Sequence, residues 1–305
     1  MSLFDDLVNT ALQSSQSMAP LRMVVEKELL HHDILRVLSD AGLLTQLTFI
    51  GGTCLRTCYG ASRLSEDLDF TGGAGFTKER MTNMGQVLVN SLQVKYGLQV
   101  EVSEPVREES NVSTWKVKIQ TRPERKDMAA QRIHLDVCAI PSYQPRPMML
   151  LNPYGVDMGT SGLILQAQSR QEIFADKLLA FALRPNKFKN RDLWDMAWLH
   201  QQQVKPAVEL MPKKLQDHHV LPSQYLTNFK ERVGSLTSDP AAVRDFQDEM
   251  CRFLPALTVQ ETVLRQDYWV YLTGLMQDHL DLVARALNAM TLFGQQHRQP
   301  GPHLQ

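Results

Sequence analysis

Two rhythms of hydrophobic and polar positions divide the chain. From Leu21 to Ala41, apolar residues fall at Val25, Leu29, Leu30, Ile34, Val37 and Leu38, a helical spacing that Gly42 is placed to end. His31 and His32 lie inside this helix; neighbouring helical positions diverge by about 100°, so they are expected on the surface or partly packed rather than sharing a metal. Residues 1–20 read as a loose amphipathic start and a connection. Phe49 and Ile50 close an apolar run, Gly51-Gly52 permit a tight turn, and Thr53 to Tyr59 form a short helix that Gly60 stops. Leu64 to Phe70 then alternates as a strand does, with Leu64, Leu68 and Phe70 on one face and Ser65, Asp67 and Asp69 on the other. The loop T-G-G-A-G-F, Thr71 to Phe76, is either a plain turn or a flap over a ligand.

Thr77 to Tyr96 reads as a helix, followed by strands at Leu98 to Val102, Trp115 to Gln120 and Arg132 to Cys138. In the last, Ile133, Leu135 and Val137 face a core while His134, Asp136 and Cys138 face away. Thr121 to Gln131 is a hairpin-like connection, the proline-rich stretch Pro141 to Pro153 a break, Asn152 to Gly162 a loop and Leu163 to Ala167 a last strand. Helical spacing takes over after Ser169, whose capping box with Glu172 opens a helix running to Pro185. Lys187 to Leu199 puts Leu193, Trp194, Ala197 and Trp198 on one core face, and helices are expected at 202–215, 222–234, 240–253 and 258–288. The predicted class is α/β (α+β): a small mixed sheet with flanking helices, then a helical C-terminal region. The expected division is a sheet domain over 1–150, a helical domain over 151–295 and a flexible tail over 296–305.

Composition narrows the function classes. Charged residues make up 21% of the 305 positions and the formal net charge is −1, so no global positive field marks a nucleic-acid binder. Any such contact must use local patches. The four cysteines include no C-x-x-C pair, which removes zinc-ribbon and thioredoxin-type chemistry; Cys54 and Cys58, four apart, are expected to pack. Thiol usage of this kind fits a reducing compartment, and no run is apolar enough to span a membrane, so the expectation is a cytoplasmic protein with no membrane partner. Asp217-His218-His219 lies in a polar inter-helix stretch, the wrong setting for a phosphoesterase.

The chemistry concentrates in residues 49–70. Asp67 and Asp69 point the same way on a strand, where unscreened charges repel; a hard divalent cation, Mg²⁺ or Mn²⁺, relieves that repulsion. The Gly51-Gly52 turn opening a helix offers free N–H groups to a phosphate. Together they suit a nucleoside triphosphate.

The order Gly-Gly, short helix, Asp-x-Asp resembles the nucleotidyltransferase superfamily of the DNA polymerase β type. The wording G-G-T-x-L-R followed by R-L-S-E-D-L-D-F, Arg63 to Phe70, is similar to its AbiEii/AbiGii-type toxin family. That resemblance implies Asp67, Asp69 and Asp136 as metal ligands and catalytic carboxylates, with Asp136 as base or orienting group. It implies nucleotide contacts from Gly51, Gly52, Thr53, Arg63 and Ser65. It also implies a triphosphate-binding Lys177 followed by an R-D-x-x-D-L element, here Arg191-Asp192-Leu193-Trp194-Asp195-Met196 with Met for Leu, in which Arg191, Asp192 and Asp195 support the nucleotide or Lys177. The implied function is a toxin of a toxin–antitoxin or antiviral defence pair that moves a nucleotide from a triphosphate to an acceptor hydroxyl, with a tRNA 3′ end as acceptor and an antitoxin as partner. A silent nucleotide-binding protein and a small-molecule or protein nucleotidyltransferase are the alternatives. Basic clusters at Lys116, Lys118, Arg122, Arg125 and Lys126, and at Arg184, Lys187, Lys189 and Arg191, either track RNA or are ordinary solvated faces.

Overall fold

The computed structural model of the chain describes residues 2–106, 111–125 and 129–296, with side chains to residue 289. Lys126 and the tail beyond 296 lie outside the described residues. The chain forms two compact units, one of Met1–Arg170 with Glu249–Glu261 and one of Gln171–Asp248 with Thr262–Gln305. The first division thus falls after Arg170, not at 150.

The first unit holds helices α1 (Leu3–Ser14), α2 (Arg22–Asp40), α3 (Gly51–Tyr59) and α4 (Met84–Tyr96) around one sheet. Its strands are β1 (Thr48–Ile50), β2 (Leu68–Thr71), β3 (Gln99–Ser103), β4 (Val112–Gln120), β5 (Gln131–Cys138), β6 (Pro145–Met149) and β7 (Ile164–Gln168), in the order β3-β4-β5-β2-β1-β7-β6. β1/β7 and β2/β5 pair parallel and the other neighbours antiparallel, so the expected mixed sheet is what forms. One face is apolar: Leu68, Phe70, Trp115, Val117, Ile119, Ile133, Leu135 and Val137 are buried with Leu30, Ile34 and Leu38 of α2. Phe49 and Phe70 stack at 5.0 Å between the central strands. The other face keeps the polar positions of β4 and β5.

Several elements differ from the pattern's expectation, each for a physical reason. The start of the chain is a capped helix: the Ser2 hydroxyl accepts from the Asp5 N–H, and Phe4, Val8 and Ala11 bury one stripe. β2 begins only at Leu68, because the backbone of Leu64 to Asp67 is bonded elsewhere than to a strand. The helix expected from Thr77 begins at Met84 after a tight turn at Lys78–Met81. The proline-rich stretch is not a break but contains β6. Pro145 and Pro147 are tolerated there because β6 is an edge strand, with no second neighbour needing their missing N–H groups. His31 and His32 are fully buried, not at the surface: His31 Nε2 lies 3.0 Å from the Glu66 carbonyl and His32 Nδ1 3.0 Å from the Thr160 hydroxyl. Burial lowers both imidazoles to about 4, so both are neutral.

The second unit is helical: α5 (Arg170–Leu183, all but its first residue), α6 (Asn190–Gln201), α7 (Met211–Asp217), α8 (Pro222–Ser238), most of α9 (Pro240–Met250) and, after the short turn α10 (Ala256–Thr258) in the first unit, α11 (Gln266–Gln296). Phe174, Phe181, Leu193, Met196, Phe229 and Phe246 fill its core, with Phe181 and Phe229 edge to face at 5.4 Å. Trp194 belongs to this core, as its spacing implied. Gln203, at φ 58, breaks the helix expected over 202–215. α11 ends at Gln296.

Candidate active site

The site begins at Gly51. Its φ is +76°, and a Cβ there would stand 2.7 Å from Asp69 Oδ2, so only glycine allows the chain to leave β1 and enter α3 against that carboxylate. α3 starts at Gly51 itself and ends on Gly60 at φ 76°. The N–H groups of its first turn have no partner within the helix.

Asp69 lies on β2 opposite Ile50 of β1 on one side and Asp136 of β5 on the other. Asp67 directly precedes the strand, and its Oδ1 accepts the His134 backbone N–H at 3.1 Å, with His134 Nδ1 3.7 Å away. All three carboxylates are partly exposed. Among the described residues, Asp136 Oδ1 is buried with no hydrogen-bond partner, an arrangement that costs about 1–3 kcal/mol when left uncompensated. Hard carboxylate oxygens from adjoining strands, one of them unsatisfied, suit a divalent cation such as Mg²⁺. The convergence is partial: among the described residues, no group of three or more His, Cys, Asp or Glu stands close enough together to cage an ion.

The loop carrying Asp67 is gripped at every residue. The Leu64 N–H donates to the Phe253 carbonyl at 3.0 Å, and the Ser65 N–H to Glu28 Oε1 at 2.8 Å. The Glu66 carbonyl meets His31, and the Thr53 hydroxyl donates to the Asp67 carbonyl and lies 2.6 Å from the Ser65 hydroxyl. Thr53, Arg63 and Ser65, expected at the nucleotide, are therefore buried: the Thr53 and Ser65 hydroxyls fix the loop, and Arg63 Nη1 donates to the Leu64 carbonyl at 2.9 Å. The loop from Thr71 to Phe76 is likewise fastened as a turn, with the Thr71 hydroxyl bonded to the Cys138 and Ile140 carbonyls and Phe76 buried.

Beneath this loop sits Glu28, which the sequence reading passed over. Its carboxylate is buried, takes Arg56 Nε at 3.1 Å, and accepts the Tyr154 hydroxyl as well as Ser65. Burial and the Glu28 charge push the Tyr154 phenol well above its ordinary range, so it remains a donor. The signal was present: Glu28 occupies a stripe position with Val25, Leu29 and His32, where a carboxylate needs a buried partner. Cys54 and Cys58 pack inside α3, and burial followed by their mutual contact raises the Cys54 thiol.

Lys177, Arg191, Asp192 and Asp195 belong to the second unit. The Lys177 ammonium is buried, 2.7 Å from Asp192 Oδ1 and 2.7 Å from Asp195 Oδ2. Arg184 Nη1 approaches Asp192 Oδ2 at 2.7 Å, an ion pair not aligned as a hydrogen bond. Burial alone would raise the Asp192 carboxyl, but Lys177 and Arg184 hold it well below the usual carboxylate range. Arg191 is half-exposed on α6.

A glycine turn against a carboxylate, an adjoining Asp on a parallel strand and a clamped Asp loop form the signature seen in outline in the sequence. The family model "Nucleotidyl transferase AbiEii toxin, Type IV TA system" matches residues 33–273. The chain belongs to this family. It is thus an AbiEii nucleotidyltransferase, of a family of toxins from toxin–antitoxin systems. Two solved structures match along most of the chain. One, a candidate nucleotidyltransferase from H. pylori, is 18% identical with a TM-score of 0.49, over 86% of this chain and 96% of that one. The other, JHP933 from Helicobacter pylori, is 17% identical with a TM-score of 0.44, over 88% and 97%. No curated protein matches the sequence. No described helix of this AbiEii chain is long and apolar enough to cross a membrane.

Proposed function

We propose that the protein transfers a nucleotide from a nucleoside triphosphate to an acceptor hydroxyl, with Asp67, Asp69 and Asp136 as the carboxylate centre. The observation that carries this reading is Asp69 in register beside Asp136, against the Gly51 turn, with Asp136 Oδ1 buried and unpartnered. Mg²⁺ or Mn²⁺ held by these oxygens would neutralise triphosphate charge and acidify the acceptor hydroxyl. Asp136 orients that hydroxyl and takes its proton; the oxygen attacks the α-phosphorus, the new phosphodiester forms, and pyrophosphate leaves. Gly51 and Gly52 N–H groups hold phosphate oxygens. Thr53, Arg63 and Ser65 act as positioning residues through the loop. Within the second unit, Asp192 and Asp195 orient Lys177, the residue that the family resemblance assigns to the triphosphate. Arg191 supports the nucleotide.

The acceptor in this reading is the 3′ hydroxyl of tRNA, and the partner is a cognate antitoxin, as membership of a toxin–antitoxin family supports. Incubation with total RNA and each labelled triphosphate tests the reading. Label is expected in the tRNA band, and Asp67→Asn or Asp69→Asn should abolish it while the circular-dichroism spectrum is kept. Label in no RNA, or label persisting in either variant, overturns it.

A further inference from the structure

We propose that the solvent face of β4 and β5 is a track for the phosphodiester backbone of an RNA acceptor, with Lys116, Lys118 and Arg132 as its phosphate contacts. This deepens the transfer reading and rests on it for the position of the reacting end. The ladder register sets the track. Lys118 lies opposite Arg132, Lys116 opposite His134, and Thr114 opposite Asp136, so one polar face runs from Arg132 to the carboxylates. Lys116, Lys118, Arg132 and His134 are all exposed. Residues two apart on a strand stand about 6.7 Å from each other and adjacent strands about 4.8 Å, so the cations form a close row leading to Asp136 and, through the His134 backbone, to Asp67.

The chemistry of the row favours a nucleic acid over a protein partner. From Thr114 to Gln120 and from Arg132 to Asp136, the residues on this face are Thr, Lys, Gln, Arg, His and Asp; the exposed Val112 lies on the far side of Asp136 from the cations, so the row itself carries no apolar anchor such as a protein interface needs. Among the described residues, Lys118 is held by an exposed pair with Glu101 at 3.0 Å, which water and salt weaken and which a phosphate readily replaces. Arg132 also borders a cavity of about 420 Å³ with Lys27 and Glu66, so the row ends beside concave space. The register also removes a residue that the sequence had grouped here. Arg122 turns away to Glu26 and Asp5, and its side chain is largely buried.

Fluorescence polarisation of labelled oligoadenylate and of labelled bulk tRNA, titrated over a range of KCl concentrations, tests the track. Lys116→Gln/Arg132→Gln should weaken binding about tenfold at low salt and reduce the slope of log affinity against log salt by roughly 1.4, the loss of two single-strand phosphate contacts. The exposed pair Lys230→Gln/Arg285→Gln, which lowers net charge equally elsewhere, should leave the slope unchanged. Calorimetric binding of a magnesium triphosphate should be the same in all three proteins. No RNA binding by the parent, an unchanged slope in the track variant, or an equal loss in the control pair overturns the track. So does loss of a protein partner, rather than RNA, in the track variant. The RNA slope judges the track and the triphosphate calorimetry judges the transfer reading, so the two fail separately.

Discussion

Replacing Glu28 is the sharpest test of how the Asp67 loop is held. The Glu28 and Arg56 side chains are 2% and 9% exposed, so the pair sits in a medium where an uncompensated charge is expensive. Glu28→Gln keeps the volume and one acceptor for the Ser65 N–H, but sets an amide donor against the Arg56 and Tyr154 donors. Breaking a buried pair on one side costs about 3–5 kcal/mol, a large share of the roughly 5–15 kcal/mol that holds a domain together. The urea midpoint should fall by about 1 M or more. Hydrogen exchange of peptides carrying α2 and Leu64 to Asp67 assigns that fall to the first unit. Glu28→Gln/Arg56→Met, which removes the stranded cation, should recover about 1 kcal/mol or more over the single variant. A midpoint shift equivalent to less than about 0.5 kcal/mol, or a double variant no more stable than the single, would refute the claim that this ion pair secures the loop.

Two further outcomes follow from the geometry. Gly51→Ala would force both a positive φ on a residue with a Cβ and a 2.7 Å clash with Asp69 Oδ2; stability should drop by about 1–2 kcal/mol in thermal unfolding, and transfer should be lost where the protein is still folded. Acid should destabilise the chain before its carboxylates titrate: His31, His32 and His279 are lowered to about 4 by burial, so their contribution is complete above the ordinary value of 6.5 and is lost as pH falls toward 4, by up to about 3 kcal/mol each, which urea midpoints measured across that interval will register.

Much of the sheet was legible because its strands carry period-two patterns. Ile133, Leu135 and Val137 against His134 and Asp136 fix the face of β5 without any structure. Gly42, Gly60 and Gly97 mark helix ends by needing a left-handed backbone. What escaped was interaction at long range. No local pattern says that Glu28, Ser65, Arg56 and Tyr154 meet, since Tyr154 lies 126 residues from Glu28. β6 escaped because proline reads as a breaker, and only its place at the edge of the sheet makes it harmless. The site residues divide in the same way. Asp69 and Asp136 stand together as strand register requires, whereas the motif residues Thr53, Arg63 and Ser65 proved to be buried supports of the Asp67 loop.

The central claim is that the Asp67, Asp69 and Asp136 oxygens bind a divalent cation together with a nucleoside triphosphate. Isothermal titration of each ribonucleoside triphosphate into the protein, with Mg²⁺ and with EDTA, tests it most directly. At least one triphosphate is expected to bind with Mg²⁺, with binding lost in EDTA and lost in Asp69→Asn with Mg²⁺ present. Equal binding with and without the metal, or binding unchanged in Asp69→Asn, would contradict it.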